Sequence, residues 1–406
     1  MDIFDRLYKM TAFSNFIDDP RSIIMILLSF FLLYLGIKKR FEPLLLVPIA
    51  FGMLLANFPV SVGSGSMAVI PAVGDMKFIK DLPLTQIASK YGIMNFIYYA
   101  FIKTGFLPPI IFLGVGALTD FGPMLRNLRL AFFGAAAQIG IFSIFFVAIA
   151  IGFTPQEAGS LSIIGGADGP TAIYTTIILA PELLGPIAIA AYSYMALVPV
   201  IIPFVVRFTT GKKELMINMK EMDRQFPSKR PIKNLRVVKI IFPIMLATIV
   251  SILVPSAIPL VGLLMFGNLI KEVGADTERL FKAASSGIMN AATIFLGLSV
   301  GATMTADSFL EKETLLIIVG GFLAFCISIA GGILAVKVYN LFAKKKINPL
   351  IGATGLSAVP MASRVANELA LKHDPKNHIL QYAMASNISG VIGSAVAAGV
   401  LISFLS

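Results

Sequence analysis

Long apolar segments are the feature that most restricts what this chain can fold into. Ten intact apolar segments follow one another along it, at residues 22–37, 41–58, 92–118, 128–153, 185–206, 238–254, 257–273, 283–303, 313–339 and 379–404. A transmembrane helix needs about 20 mostly apolar residues. Only 14% of this chain is charged, whereas charged residues make up about a quarter of a soluble domain. The sequence therefore predicts an all-α integral membrane protein with about ten spans.

Two further segments, 156–182 and 347–370, are apolar but are interrupted by glycine, proline and polar residues. Non-helical backbone at membrane depth is tolerated only where protein or a water-filled cavity satisfies its polar groups. Broken helices of this kind bind ions near the midplane of inverted-repeat transporters. We therefore expect each segment to be a re-entrant hairpin that enters and leaves the membrane on one side.

The two halves of the chain resemble each other in the same order of motifs. Phe51-Gly52 matches Phe266-Gly267, "IFLGVGALTDF" matches "IFLGLSVGATMTADSF", and "SIIGGADGPTAIY" lies opposite "PLIGATGLSAVPM". Such self-similarity indicates an internal duplication. If each half crosses the membrane five times, the second repeat runs upside down relative to the first. The predicted domains are an N-terminal segment (1–21), a first membrane repeat (22–206), a basic loop (207–239) and a second, inverted repeat (240–406).

Positive charge is concentrated in the loop at 207–239. Ten basic and three acidic residues lie there, so this loop supplies +7 of the formal charge of +11. A basic loop marks the cytoplasmic side of a membrane protein, and this location argues against a nucleic-acid partner. Counting outward from the loop places both termini outside. Lys77, Lys80 and Lys90 do not fit this topology, because they fall in an external stretch. The charged first 20 residues lack the apolar core of a cleavable signal peptide.

The first broken segment, "IGGADGPTAIY", combines one acid with a run of backbone breakers. Its glycines permit a sharp turn that exposes carbonyl groups, while Thr171 adds a hydroxyl and Asp168 a carboxylate. These oxygens suit a hard cation, and a single carboxylate favours a monovalent ion over Ca²⁺ or Mg²⁺. The alternative is that Asp168 is only a helix N-cap, although an acid inside a membrane segment is functional by default.

The second broken segment has no acid but many polar groups. It contains Asn348, Gly352, Thr354, Gly355, Ser357 and Arg364. Arg364 lies about two helical turns beyond Ser357. A buried guanidinium there would hold a carboxylate or balance Asp168, and the alternative is that Arg364 extends to the cytoplasmic surface. Tyr194 and Asn387 occupy matching places in the spans that follow the hairpins, whereas Tyr192 is interpreted as a packed core aromatic.

Four motifs carry a resemblance to a known family. They are "GGADGPTAIY", "AAYSYMALVP", "NPLIGATGLSAVPMASRVAN" and "NISGVIGSAVAAGV". Together they resemble the membrane β subunit of the sodium-translocating biotin-dependent decarboxylases, which act on oxaloacetate, methylmalonyl-CoA or glutaconyl-CoA. The resemblance implies that carboxybiotin is decarboxylated, a proton is consumed from the outer side, and Na⁺ is pumped outward across the bacterial inner membrane.

The same resemblance implies partners and roles for residues. The partners are a carboxyltransferase α subunit, a biotinyl carrier protein and a small single-span γ or δ subunit, within a complex that is expected to contain several copies of this chain. The sequence has no Met-Lys-Met for biotin attachment, so biotin is expected from the carrier. The matching residues are Asp168, Tyr194, Asn348, Gly352, Ser357, Arg364 and Asn387.

Several of these residues are predicted to have more than one role. Catalysis is assigned to Arg364, Ser357, Tyr194 and Asp168, carboxybiotin binding to Arg364, Asn348 and Gly352, and Na⁺ ligation to Asp168, Asn387, Ser357, Asn348 and Tyr194. Within this set, Asp168 and Asn387 are expected to share one Na⁺ site, and Ser357 and Tyr194 to serve a second site or the proton route. The rival function is a sodium-coupled secondary transporter of an organic anion, with the same architecture and no decarboxylation.

Overall fold

The computed structural model describes residues 20–40, 42–58, 82–226, 234–309 and 312–406. Every regular element among them is a helix, which confirms the all-α class. The expected N-terminal segment, apart from its last two residues, lies outside the described residues, as do Lys77 and Lys80.

The first half of the chain contains short helices, a bent pair and two long helices. The elements are α1 (Arg21–Ile37), α2 (Pro43–Ala56), α3 (Leu84–Ile97, continued by a π-helical turn at Tyr98–Ile102), α4 (Leu107–Leu118), α5 (Gly122–Arg126), α6 (Leu128–Ala137), α7 (Ile139–Ile151), α8 (Pro155–Ser162), α9 (Gly169–Leu179) and α10 (Leu184–Thr209). Two short helices follow in the basic loop, α11 (Lys212–Leu215) and α12 (Met219–Gln225).

The second half contains most of the long helices. The elements are α13 (Leu235–Leu253), α14 (Leu263–Val273), α15 (Glu278–Lys282), α16 (Met289–Ala302), α17 (Ala306–Phe309), α18 (Lys312–Phe342), a 3₁₀ segment (Pro349–Thr354), α19 (Met361–His373) and α20 (Leu380–Leu405). Short 3₁₀ or π-helical turns join α13 to α14 and α15 to α16.

Seven helices among the described residues are long and apolar enough to span a membrane, and an eighth span is possible if one bent pair is counted. The seven are Leu128–Ile151, Pro181–Thr209, Leu235–Leu253, Pro255–Val273, Ala275–Ala302, Lys312–Phe342 and Leu380–Leu405. The two predicted segments nearest the N-terminus form helices of only 17 and 14 residues. At 1.5 Å per residue, 14 residues extend about 21 Å, which is shorter than the apolar thickness of about 30 Å.

The apolar segment 92–118, which was predicted to be intact, is bent in the structure. The chain bends by 69° between Leu84–Ile102 and Leu107–Leu118. Gly105 adopts a left-handed conformation at φ +70, which glycine reaches without steric cost. Pro108 and Pro109 then occupy the first turn of α4, where a proline does not interrupt helical hydrogen bonds.

Both predicted broken segments are broken in the structure. The first runs through α8 and a 3₁₀ turn, Ile163–Gly166, and then turns at Ala167, whose φ of 55 is left-handed. The second runs through its 3₁₀ segment and an irregular stretch before α19 begins at Met361. The Ser357 N–H donates to the Gly166 carbonyl over 2.9 Å, so the two breaks lie in direct contact.

Glycines let helices from opposite halves pack backbone to backbone. A Cβ added at Gly52 of α2 would lie 2.2 Å from the Leu298 carbonyl oxygen of α16. A Cβ added at Gly267 of α14 would lie 2.0 Å from the Leu113 carbonyl oxygen of α4. In the first contact the glycine belongs to the first half of the chain, and in the second contact it belongs to the second half. The two glycines are the pair that the sequence comparison matched.

Candidate functional site

Asp168 lies at the break of the first segment and uses its two carboxylate oxygens differently. Oδ1 accepts a hydrogen bond of 3.1 Å from the Thr171 N–H and so caps α9. Oδ2 accepts hydrogen bonds from Ser357 Oγ at 2.7 Å and Ser394 Oγ at 2.9 Å. The capping and functional interpretations of Asp168 are therefore compatible, because one oxygen serves the helix and the other faces the second half of the chain.

The Asp168 carboxylate is buried without a cationic partner. Its exposed fraction is 5%, and within the described part of the chain no Lys, Arg or His side chain forms an ion pair with it. A buried carboxylate is strongly disfavoured unless a cation or a proton neutralises it. Two hydroxyl groups and one N–H stabilise the charge but do not cancel it. The arrangement is therefore suited to receive a small cation or a proton.

Ser394 belongs to this cluster although the sequence prediction did not include it. It lies on α20 and is fully buried, and its hydroxyl bonds to Asp168 Oδ2. A signal was present, because Ser394 follows Asn387 by seven residues, which is about two helical turns on one face. The sequence could not show which of the polar residues on that face would reach Asp168.

Asn387 lies near the cluster without bonding to Asp168. Its Oδ1 accepts a hydrogen bond from Ser363 Oγ at 3.1 Å, and its Nδ2 donates to the Leu356 carbonyl. Asn387 is fully buried and so fixes the backbone immediately before Ser357. The structure therefore brings Asp168 and Ser357 together directly, whereas Asn387 reaches the same cluster through the second break.

The two tyrosines of α10 occupy different surroundings. The Tyr194 hydroxyl donates to the Ile318 carbonyl of α18, and its ring centroid lies 5.8 Å from that of Phe325. Tyr192 is 3% exposed, and its hydroxyl has no hydrogen-bond partner among the described residues. Its ring packs on the start of α9, because a Cβ at Gly169 would lie 2.2 Å from Tyr192 Cε1. Tyr194 is thus anchored to the second half of the chain, and Tyr192 packs beside the break.

Asn348 connects the second broken segment to the basic loop. Its Oδ1 accepts from the Leu350 N–H at 3.0 Å, which caps the 3₁₀ segment. Its Nδ2 donates to the carbonyls of Leu215 at 2.9 Å and Ile217 at 3.1 Å. All of these contacts hold the backbone, and Asn348 is fully buried. In this conformation the side chain ties α11 to the entrance of the second break.

Gly352 permits a close backbone approach within the same segment. A Cβ added at Gly352 would lie 2.1 Å from the Gly332 carbonyl oxygen of α18, and the reciprocal Cβ at Gly332 would lie 2.1 Å from the Gly352 carbonyl oxygen. Any larger residue at either position would force the 3₁₀ segment away from α18.

The basic loop is docked on the second half by polar contacts. The Asn218 side chain donates to Asp374 Oδ2 over 3.0 Å. Together with the N–H of Lys376, which is the larger influence, it lowers the pKa of Asp374. Further contacts are the bonds Lys345–Asp223 at 2.6 Å, Tyr382–Asp223 at 2.6 Å, Lys337–Glu214 at 3.2 Å and Asn377–Ile217 at 2.9 Å. The described part of this loop is therefore an ordered platform beside the second break.

Arg364 lies on α19 and is exposed. Among the described residues its guanidinium forms no hydrogen bond or ion pair, and it does not balance Asp168. The exposed Arg364 guanidinium is therefore separate from the buried Asp168 cluster at the breaks.

Comparisons with known proteins agree with the motifs. The model of the family described as the Na⁺-transporting oxaloacetate decarboxylase beta subunit matches residues 21–405. The methylmalonyl-CoA decarboxylase subunit beta of Propionigenium modestum is 50% identical over 385 residues, which cover 94% of each chain. The oxaloacetate decarboxylase beta chain 2 of Salmonella typhi is 46% identical over 419 residues, with the same coverage of both chains. The methylmalonyl-CoA decarboxylase subunit beta of Veillonella parvula is 46% identical over 384 residues, covering 94% of this chain and 93% of the relative.

Proposed function

The chain belongs to the family of Na⁺-transporting decarboxylase β subunits, and we propose that it decarboxylates carboxybiotin and couples this reaction to outward Na⁺ transport. The observation that supports the proposal most strongly is the Asp168 cluster. It is a buried carboxylate that has hydroxyl partners but no cationic side chain paired with it among the described residues, and it lies where two broken membrane segments touch. A buried carboxylate at broken membrane helices is typical of a site for Na⁺ or H⁺.

In the proposed reaction the bond between the biotin ring nitrogen and the carboxyl carbon breaks. The carboxyl group leaves as CO₂, and the electron pair of the bond stays on the nitrogen, which takes up one proton. Arg364 is proposed to hold the carboxylate before cleavage, because a guanidinium forms two parallel hydrogen bonds to a carboxylate. Its exposed position on α19 supports this role, since the carrier brings biotin from outside the chain.

The proposed transport step requires the site to open alternately to the two sides. We propose that the halves of the chain are inverted repeats, which is supported by the exchanged glycine contacts of α2 with α16 and of α14 with α4. Moving one Na⁺ against 100 mV requires about 2.3 kcal/mol. Decarboxylation drives transport only if the carboxyl group changes the relative stability of two states that differ in Na⁺ affinity.

The proposed complex has the topology and partners expected for its family. The 207–239 loop would be cytoplasmic and both termini external, with the carrier approaching from the loop side. The ordered platform formed by α11 and α12 supports this arrangement, because it offers a defined surface beside the second break. A carboxyltransferase α subunit would recognise the acid, and a small single-span subunit would complete the membrane part. Assays of the copurified α subunit with oxaloacetate, methylmalonyl-CoA and glutaconyl-CoA would identify the substrate.

The central experiment measures ²²Na⁺ uptake into inverted vesicles that contain the whole complex. Wild-type vesicles are expected to take up Na⁺ when the acid substrate is decarboxylated, and Asp168→Asn vesicles are expected to take up none. Normal coupled uptake in Asp168→Asn would refute the role of Asp168. Uptake that follows an organic anion and does not depend on carboxybiotin would favour the secondary-transporter function instead.

A further inference from the structure

Gln138 is a buried polar residue at a helix break that neither the motifs nor the proposed mechanism include. It occupies the position between α6, which ends at Ala137, and α7, which begins at Ile139. Its exposed fraction is 6%. A buried carboxamide is unfavourable unless both of its ends have partners, so the contacts of each end indicate what the residue does.

The amide nitrogen of Gln138 joins three backbone carbonyls. Nε2 lies 3.2 Å from the Gly134 oxygen, 3.2 Å from the Gly355 oxygen and 3.5 Å from the Gly390 oxygen. These carbonyls belong to α6, to the second broken segment and to α20. A flipped side chain would point an acceptor at three acceptors, so the network fixes the orientation of the carboxamide.

The amide oxygen of Gln138 has no donor. Oε1 is buried and has no hydrogen-bond partner among the described residues. It is directed towards the first break, because a Cβ added at Gly166 would lie 3.6 Å from Oε1 and 3.0 Å from Ser394 Cβ. Ser394 is the residue whose hydroxyl bonds to Asp168 Oδ2. The unsatisfied acceptor therefore lies beside Gly166 and near Ser394, and Ser394 in turn contacts the Asp168 carboxylate.

We infer that Gln138 Oε1 is a Na⁺ ligand of the Asp168 site, an assignment that rests on the proposed function. Gly166 and Ser394 connect Oε1 to the Asp168 cluster, because the Gly166 carbonyl accepts from the Ser357 N–H and the Ser394 hydroxyl donates to Asp168 Oδ2. No donor of the described residues competes for Oε1. A neutral carbonyl-type oxygen beside one carboxylate is typical of a site for a hard cation of low charge. A cation bound there would give Oε1 a partner and would neutralise the Asp168 carboxylate.

The same residue links ion binding to both halves of the chain. Nε2 holds Gly355 of the second segment and Gly390 of α20, while Oε1 faces the first segment. Gln138 Nε2 already binds two carbonyls of the second half. Binding of Na⁺ at Oε1 would therefore connect the first break to the second half through this one side chain.

The test measures how Na⁺ stabilises the purified full-length chain in detergent. A ligand that binds only the folded state raises the melting temperature in proportion to the logarithm of its concentration above its Kd. NaCl is titrated at constant ionic strength, with KCl as the balancing salt. The fitted Kd is the Na⁺ concentration that half-saturates the folded chain. We expect Gln138→Met to raise this concentration about tenfold or more.

Asn268 is a matched control from another helix contact. It is fully buried, its Nδ2 donates to the carbonyls of Gly116 and Thr119, and its Oδ1 has no partner in the part of the chain that the structure describes. Asn268→Leu should lower the melting temperature without changing the half-saturating Na⁺ concentration.

Each outcome decides between the inference and its rivals. The inference is wrong if Gln138→Met keeps the wild-type Na⁺ response, or if Asn268→Leu shifts it equally. If Asp168→Asn abolishes the response while Gln138→Met does not, the proposed function stands and only the Gln138 assignment fails. If the wild-type chain shows no specific response to Na⁺, both fail.

Discussion

Ser357 Oγ donates a hydrogen bond of 2.7 Å to Asp168 Oδ2 across 189 residues of sequence. The bond joins the break of one membrane segment to the break of the other. A movement that separates the two breaks must lengthen or replace this bond. The state of the carboxylate and the relative position of the halves are therefore physically coupled.

Replacing either of the two serines that bond to Asp168 Oδ2 should change the Na⁺ affinity, and the two effects should not add. Hydrogen bonds to a charged group contribute about 1.5–3 kcal/mol, so Ser357→Ala and Ser394→Ala should each change the half-saturating Na⁺ concentration of decarboxylation by about tenfold or more. Because both hydroxyls act on one oxygen, the double variant should be non-additive.

The serine prediction is checked by Na⁺ titration of the complex with a third serine as control. Ser389 lies on α20 as well, but its hydroxyl bonds to the Ala131 carbonyl at 2.6 Å. Ser389→Ala should leave the Na⁺ dependence unchanged. Equal shifts in all three variants would indicate a general loosening of α20 and would contradict a local role at Asp168.

Replacing Asn348 should release the platform formed by α11 and α12. Asn348→Ala removes the donors to the Leu215 and Ile217 carbonyls, and each lost buried partner costs about 1–3 kcal/mol. Hydrogen–deuterium exchange of residues 212–225 should accelerate by about tenfold or more. Gln225→Ala, which removes only an exposed bond to Glu221, should not change the exchange rate. Unchanged exchange in Asn348→Ala would mean that the other hydrogen bonds and ion pairs of the loop are sufficient to hold the platform.

The exchanged glycine contacts should have equal energetic weight. Gly52→Ala and Gly267→Ala each place a methyl group within 2.2 Å of a carbonyl oxygen, and such overpacking typically costs about 1–3 kcal/mol. Both variants should lower the melting temperature of the purified chain by a similar amount. Gly287→Ala is the control, because a Cβ there meets nothing within 4 Å. A large effect at only one of the two glycines would contradict equivalent packing in the two halves.

The sequence predicted the broken segments because these depend on local composition. Glycine and proline interrupt helices wherever they lie in apolar sequence, and the order of motifs paired Asp168 with the segment of Ser357. Ser394 and Gln138 were missed because their roles depend on which helix faces lie against the breaks. Hydropathy alone also merged α3 and α4, since the bend at Gly105 leaves the apolar content of the segment unchanged.

Loss of the hydroxyl group should affect folding stability differently at the two tyrosines of α10. Tyr194→Phe removes the bond to the Ile318 carbonyl of α18 and should reduce folding stability by about 1 kcal/mol. Tyr192→Phe removes a buried hydroxyl that has no partner among the described residues, so it should leave stability unchanged or slightly higher. Thermal melting of the two purified variants checks both expectations. If Tyr192→Phe is the more destabilising change, its hydroxyl has a partner, such as an ion or water beside α9, that stabilises the first break.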